Sequence, residues 1–65
     1  MNSFTYKNYL ITLDLTREGV LATALHDNND HFKIHYIGYS VSAIMKRIKT
    51  QCRYRIKNNI IINKE

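Results

Sequence analysis

Residues 37–57 read IGYSVSAIMKRIKTQCRYRIK, and this stretch predicts the one long helix of the chain. At about 100° per residue, its apolar side chains fall on one stripe, made of Val41, Ile44, Met45, Ile48, Cys52 and Ile56. Basic side chains fall together on a neighbouring face, made of Lys46, Lys49, Arg53 and Lys57. Ser40 or Ser42 supplies the N-cap. The stretch therefore predicts a helix that covers a core with one face and presents a cationic row with another.

Basic residues are concentrated in the last third of the chain. Residues 1–45 carry three basic and four acidic side chains, whereas residues 46–65 carry seven basic side chains and one acidic one, for a net charge of +5. A basic end on a small domain is typical of a protein that binds a polyanion, whether nucleic acid, an acidic protein or an anionic lipid. The alternative to polyanion binding is that these basic residues only keep an exposed helix face solvated.

Before the helix, three segments alternate apolar and polar residues with the period of a β-strand: 9–15, 20–26 and 32–36. Polar turns separate them, and Gly19 ends the first turn as a residue free to take a positive φ. In the second strand either the alanines or the leucines could line the core. Residues 60–63, three isoleucines and an asparagine, predict a last short strand that pairs within the sheet or with a second subunit. The fold class is therefore a small α+β domain over residues 1–65, in the order β-β-β-α-β, with a mostly antiparallel sheet and one helix packed on a face.

Several functional classes are disfavoured by what the chain contains. Cys52 is the one cysteine, so a disulfide within the chain is excluded, and the residue is expected to be a reduced core residue of a cytoplasmic protein. No apolar run approaches the ~18 residues of a membrane span, and the N-terminus does not have the pattern of a signal peptide. With two glycines and no paired carboxylates, neither a phosphate loop nor acid–base chemistry is indicated, and we expect a protein that is not an enzyme and needs no cofactor. The three histidines are interpreted as surface residues rather than metal ligands.

One tyrosine lies among the basic residues of the predicted helix. Tyr54 stands between Arg53 and Arg55, and an aromatic ring beside basic side chains can stack on a base while the cations hold phosphates. Tyr36 is expected in the core. The residues predicted to bind nucleic acid or an acidic partner are Lys46, Arg47, Lys49, Arg53, Tyr54 and Lys57.

The three strands followed by residues 37–44, IGYSVSAI, resemble the HicB-like antitoxin domain over about residues 8–62. Members of that family typically carry a glycine, any residue, a serine or threonine, and then a Glu-Ala pair entering the helix. In this chain the glutamate is absent, Ala43 is displaced by one residue, and the Leu-Pro-Gly of the family's second hairpin is missing. The resemblance implies the same β-β-β-α-β order and a protein partner.

Two functions follow from these features. The first is a nucleic-acid-binding accessory protein that uses the basic helix face. The second is a protein–protein interaction module, HicB-like or an inhibitor or adaptor of another kind, that binds through its sheet edge or its basic helix. Self-association is also expected, because the core is small and both faces of the strands retain apolar residues.

Overall fold

The computed structural model describes residues 2–58, which form one sheet and one helix. The elements are β1 (Asn2–Tyr6), β2 (Tyr9–Leu15), β3 (Val20–His26), β4 (His31–Tyr36) and α1 (Val41–Lys57). Neighbours in sequence are neighbours in space, because the sheet order is β1-β2-β3-β4 and all three pairings are antiparallel. The predicted α+β class, with a mostly antiparallel sheet and a helix on one face, is confirmed.

The predicted element order is wrong at its start, because residues 2–6 form a strand that was not predicted. β1 joins β2 through the two-residue turn Lys7-Asn8, with Tyr6 opposite Tyr9. Both turn residues have positive φ, 50° and 69°, as the tight hairpin turn that matches strand twist requires. Lysine is uncommon in that conformation, so the turn carries little sequence signal. The strand predicted at residues 60–63 lies outside the described residues.

Alanines, not leucines, line the helix side of β3. Ala22 and Ala24 are fully buried, and each lies between larger side chains of the neighbouring strands. Two small residues in the middle of the sheet form a trough in which the helix can approach the backbone closely. The opposite face of the sheet is uncovered among the described residues, and the paired Leu10 and Leu25 are there 48% and 49% exposed.

Helix α1 begins at Val41, after the first of the two predicted N-caps, so residues 37–40 of the predicted stretch precede it. The Ser40 hydroxyl accepts a hydrogen bond from the Ala43 amide at 3.2 Å, and no acidic residue occupies the first turn. The middle of the predicted stripe is buried against the sheet, with Ile44, Ile48 and Cys52 inaccessible to solvent. Its first member departs from the prediction: Val41 is 57% exposed, because it lies at the start of the helix, where the sheet no longer covers it.

Gly19 has a different role from the one expected. Its φ is not positive, but a Cβ at this position would overlap the carbonyl oxygen of Tyr36. The glycine therefore allows the β2–β3 turn to pack directly on the end of β4. Positive φ is needed instead at Gly38, where φ is 84° and the chain turns from β4 into α1.

Candidate functional site

The basic side chains of α1 differ in whether they have a carboxylate partner. The helix carries six of them: Lys46, Arg47, Lys49, Arg53, Arg55 and Lys57. Within residues 2–58, Arg55 forms the one ion pair, with Asp30. The other five helix cations have no carboxylate within ion-pair distance in that part of the chain. Positive charge on the outer side of the helix is thus not neutralised by the described residues.

Arg55 belongs to the structural interior rather than to this cationic surface. Its Nε and Nη2 donate to the two carboxylate oxygens of Asp30 at 2.7 and 2.8 Å. The Tyr9 hydroxyl donates to the same carboxylate at 2.9 Å, and the guanidinium lies 4.7 Å from the centre of the Phe32 ring. The network fastens the last turns of α1 to the β3–β4 turn. Its charged members are largely buried, with side chains 24% exposed for Arg55 and 14% for Asp30.

The pKa values of this network reflect its hydrogen bonds and, for Tyr9, its burial. The hydrogen bonds from Arg55 hold the pKa of Asp30 below its usual value and raise the pKa of Arg55. Burial, and then the hydrogen bond to Asp30, raise the pKa of Tyr9 to about 12. Asp30 and Arg55 are therefore charged and Tyr9 neutral over the whole physiological range, so the network does not serve as a proton donor or acceptor near pH 7.

Tyr6 in β1 is surrounded by cations from two parts of the fold. Arg53 donates from Nη1 to the Tyr6 hydroxyl at 2.9 Å, and the Lys49 ammonium lies 5.4 Å from the centre of the ring. Lys7, from the adjacent turn, lies 5.7 Å from the same centre. These contacts bring the sheet edge and the helix face together in one surface, which we call the Tyr6 cluster: Tyr6, Lys7, Lys49 and Arg53. Neither Tyr6 nor Lys7 was among the residues predicted from the sequence.

Next to this cluster, the C-terminal half of the helix borders an open depression of about 480 Å³. Its described lining residues are Lys7, Thr50, Arg53, Tyr54, Ile56 and Lys57. Three of the six predicted residues, Arg53, Tyr54 and Lys57, therefore share one concave surface. The Tyr54 side chain is 58% exposed there, although most of its surface is apolar.

Arg47 lies away from the Tyr6 cluster. Its guanidinium is 4.4 Å from the centre of the Tyr39 ring, and the Tyr39 ring meets Tyr36 edge to face at 5.7 Å. Arg47 and Lys46 border a second depression, beside β4. Tyr36 is buried, as predicted, and burial raises the pKa of its hydroxyl. The predicted binding set thus divides into a group near β1 and a group near β4.

Other kinds of chemistry find little support among residues 2–58. No three histidine, cysteine, aspartate or glutamate side chains of that range come together in a way that could hold a metal ion. Burial raises the pKa of the Cys52 thiol to about 11, so the reactive thiolate is scarcely populated at neutral pH. In the described part of the chain, no helix has the length and apolar composition to cross a membrane.

The Tyr6 cluster could not be found from residue periodicity alone. Lys7 is 42 residues from Lys49 in sequence, and the two meet because β1 is the strand at the sheet edge beside the helix. The available signal was the alternation of Phe4 and Tyr6 ahead of Asn8, which indicates a short strand and a turn.

The chain was compared with protein-family models, curated proteins and solved structures, and no match was found in any of the three. The resemblance to the HicB-like antitoxin domain therefore stays a prediction.

Proposed function

We propose that this is a small, non-enzymatic, nucleic-acid-binding accessory protein of the cytoplasm. In this proposal Lys49, Arg53 and Lys57 hold phosphates on the β1 side of the helix, and Lys46 and Arg47 hold them on the β4 side. The observation that carries the proposal is that five of the six helix cations have no carboxylate partner within the described residues. Such a surface attracts polyanions, and release of the counterions condensed on a nucleic acid drives the binding.

The hydrogen bonds of Arg53 support a phosphate as the ligand. Its guanidinium donates to two neutral hydroxyl groups, Tyr6 at 2.9 Å and Thr50 at 3.2 Å. These bonds fix the orientation of the side chain without neutralising its charge. A guanidinium has five N–H donors, so the remaining ones are available for the paired oxygens of a phosphate.

Charge reversal with a matched control tests the proposal. Arg53→Glu with Lys57→Glu changes two exposed helix cations, and Arg17→Glu with Lys33→Glu changes two exposed cations elsewhere by the same total charge. Affinity for single-stranded and double-stranded DNA and RNA is measured from low to physiological salt. The helix variant is expected to lower the slope of log affinity against log salt by about 1.4 on single strands and about 1.8 on duplex DNA, since two phosphate contacts are lost. The control variant is expected to keep the slope of the unmodified protein.

Two results would end this proposal. One is an unmodified protein that binds none of these nucleic acids in a salt-dependent way. The other is an equal change of slope in both double variants, which would mean that net charge alone, and not the helix face, determines binding. In either case the protein–protein function would take its place.

A second candidate function is supported by a different feature, β1, which is an edge strand of the sheet that the described residues form. Residues 2–6 contain no charged side chain and no proline, and they pair with β2 at all five positions without a bulge. Natural proteins usually protect such an edge with charge, as Lys33 does on β4. We propose that β1 then pairs antiparallel with β1 of a second copy, because two identical uncharged strands can satisfy each other about a two-fold axis.

Thr5→Pro tests this pairing. Tyr6 and Tyr9 close a two-residue hairpin and exchange hydrogen bonds, so the amide of Thr5, one position further, points away from β2. Proline there removes an outward donor and spares the β1–β2 pairing. Sedimentation at high micromolar concentration is expected to give a dimer for the unmodified protein and a monomer for the variant, and a monomeric unmodified protein would contradict the pairing.

A further inference from the structure

The depression beside the C-terminal half of α1 is bordered by both cationic and apolar side chains. Three cations border it, Lys7 from the β1–β2 turn and Arg53 and Lys57 from the helix. The same depression has an aromatic wall, Tyr54, and an aliphatic one, the half-buried Ile56. Its volume, about 480 Å³, lies in the range of small-molecule sites. Cations beside apolar rings suit a ligand that carries both phosphates and flat aromatic groups.

The Tyr54 ring is available for such a group, whereas the other exposed tyrosine of the helix region is not. Tyr39 is covered on its face by the Arg47 guanidinium, and its ring meets Tyr36 edge to face. Tyr54 makes no ring contact of either kind among the described residues, and more than half of its side chain faces solvent. Exposing an aromatic ring of this size is unfavourable in water, and stacking against a nucleobase removes that cost.

From this geometry we infer that the ligand of the proposed nucleic-acid surface is a single strand, with one unpaired base stacked on Tyr54 and the adjoining phosphates held by Lys7, Arg53 and Lys57. The inference rests on the proposed function and narrows it to one substrate class. In a duplex, each base has its faces against its neighbours in the stack, so a tyrosine ring cannot reach them without unstacking the helix. An unpaired base can turn outward while its phosphates stay on the cationic border.

Lys7 extends the phosphate contacts beyond the helix. It stands in the two-residue β1–β2 turn and lies 5.7 Å from the centre of the Tyr6 ring, whose hydroxyl accepts a hydrogen bond from Arg53. Lys7 therefore borders the depression from the sheet, whereas Arg53 and Lys57 border it from the helix. The phosphates of one strand would then contact cations from both elements.

The experiment compares three probes on the full chain: an oligothymidylate of about 12 nucleotides, a duplex of the same length, and inorganic polyphosphate, which has phosphates but no bases. Three variants are used, Tyr54→Ala, Tyr54→Phe and the control Tyr39→Ala. Tyr54→Ala is expected to weaken binding of the single strand by about 5- to 100-fold, which corresponds to the loss of one stacked base. Tyr54→Phe keeps the ring and is expected to bind like the unmodified protein, as is Tyr39→Ala. None of the three is expected to change polyphosphate binding by more than about twofold.

Lys7→Gln gives an independent measurement. It is expected to lower the salt slope on the single strand by about 0.7, the value of one phosphate contact, while Lys33→Gln on the opposite sheet face leaves the slope unchanged. Circular dichroism spectra establish that each variant is folded before its binding is measured.

The outcomes separate this inference from the function on which it rests. If polyphosphate and both nucleic acids bind equally well to the unmodified protein and to Tyr54→Ala, the cationic surface stands and the single-strand inference is overturned. Duplex binding as tight as single-strand binding overturns it as well. If the unmodified protein binds none of the three probes, the proposed function falls, and the inference falls with it.

Discussion

Replacing Asp30 with alanine removes the carboxylate that joins the helix to the β3–β4 turn, and we expect this change to be among the most destabilising single substitutions outside the apolar core. Two charged hydrogen bonds from Arg55 and one hydrogen bond from the Tyr9 hydroxyl end on that carboxylate. The variant leaves a largely buried guanidinium without its counter-ion and a buried hydroxyl without its acceptor. Uncompensated groups of this kind cost more than the loss of the contact itself.

The magnitude follows from the burial of the pair. Exposed ion pairs contribute about 0.2–1 kcal/mol, and removing one partner of a fully buried pair costs about 3–5 kcal/mol. Side-chain exposures of 24% for Arg55 and 14% for Asp30 place this pair between those limits, so we expect a loss of about 2–3 kcal/mol. A domain of 65 residues has a free energy of unfolding of about 3–10 kcal/mol. The variant should therefore lose a large fraction of its stability and melt about 8–24 °C lower.

A double-mutant cycle in urea measures the interaction itself. Asp30→Ala, Arg55→Met and the double variant are unfolded at pH 7, with methionine chosen to keep aliphatic bulk against Phe32. The sum of the losses of unfolding free energy in the two single variants is expected to exceed the loss in the double variant by about 1.5–2 kcal/mol. A coupling free energy below about 0.5 kcal/mol would refute the reasoning, because the pair would then behave as a solvent-exposed one.

Acid adds a second measurement with a defined sign. The folded-state pKa of Asp30 lies below its unfolded value, so its contribution is fully present above the unfolded pKa and is lost as the pH falls through the folded one. The stability difference between the unmodified protein and Asp30→Ala should therefore narrow as the pH falls from about 5 into the range below about 4, the ordinary pKa of an aspartate. A difference that stays constant over this range would contradict the depressed pKa.

Three further predictions concern single positions. Gly19→Ala places a Cβ against the Tyr36 carbonyl oxygen, so we expect the free energy of unfolding to fall by about 1–3 kcal/mol. Urea unfolding should show a lower midpoint with an unchanged slope. An unchanged midpoint would mean that the turn can shift away from the carbonyl. Burial raises the pKa of the Cys52 thiol from 9.0 to about 11, so this thiol stabilises the fold below pH 9 and loses that effect as the pH rises toward 11. The stability gap to Cys52→Ala should narrow over that interval by about 2–3 kcal/mol, and a constant gap in urea titrations would contradict it. Tyr6→Phe removes the hydroxyl that accepts a hydrogen bond from Arg53 and orients it, so nucleic-acid affinity should fall a few-fold. The slope of log affinity against log salt should not change. A lower slope would show instead that Tyr6 determines the number of phosphate contacts.

The sequence predicted the parts of the fold that depend on periodicity. The apolar stripe of α1 and the serine at its N-cap are local patterns, and β2, β3 and β4 alternate over enough residues to be recognised. Local sequence could not tell whether the alanines or the leucines of β3 face the helix. Ala22 and Ala24 face the helix because their register partners, Ile11 and Leu13 on one side and Phe32 and Ile34 on the other, supply the bulk of the core.

What the sequence missed depends on contacts between distant residues. β1 is short, and its turn relies on a lysine at positive φ, for which no residue preference gives a signal. The pairing of Arg55 with Asp30 joins residues 25 apart and separates one arginine from the others on the helix. Charge patterning could indicate a basic helix, but it could not tell which cation is neutralised within the fold and which ones face solvent.

The sequential order of the strands has a consequence for biosynthesis. A ribosome adds about 5–20 residues each second, whereas a hairpin forms in microseconds. The four strands pair with their neighbours in sequence, so the sheet can form in the interval before α1 packs on it. During that interval the side chains that the helix will cover, among them Tyr9, Ile11 and Leu13, face water on a nascent chain. Packing of α1 is thus the step that removes this apolar surface from water, and a chain that delays at this step is prone to aggregation.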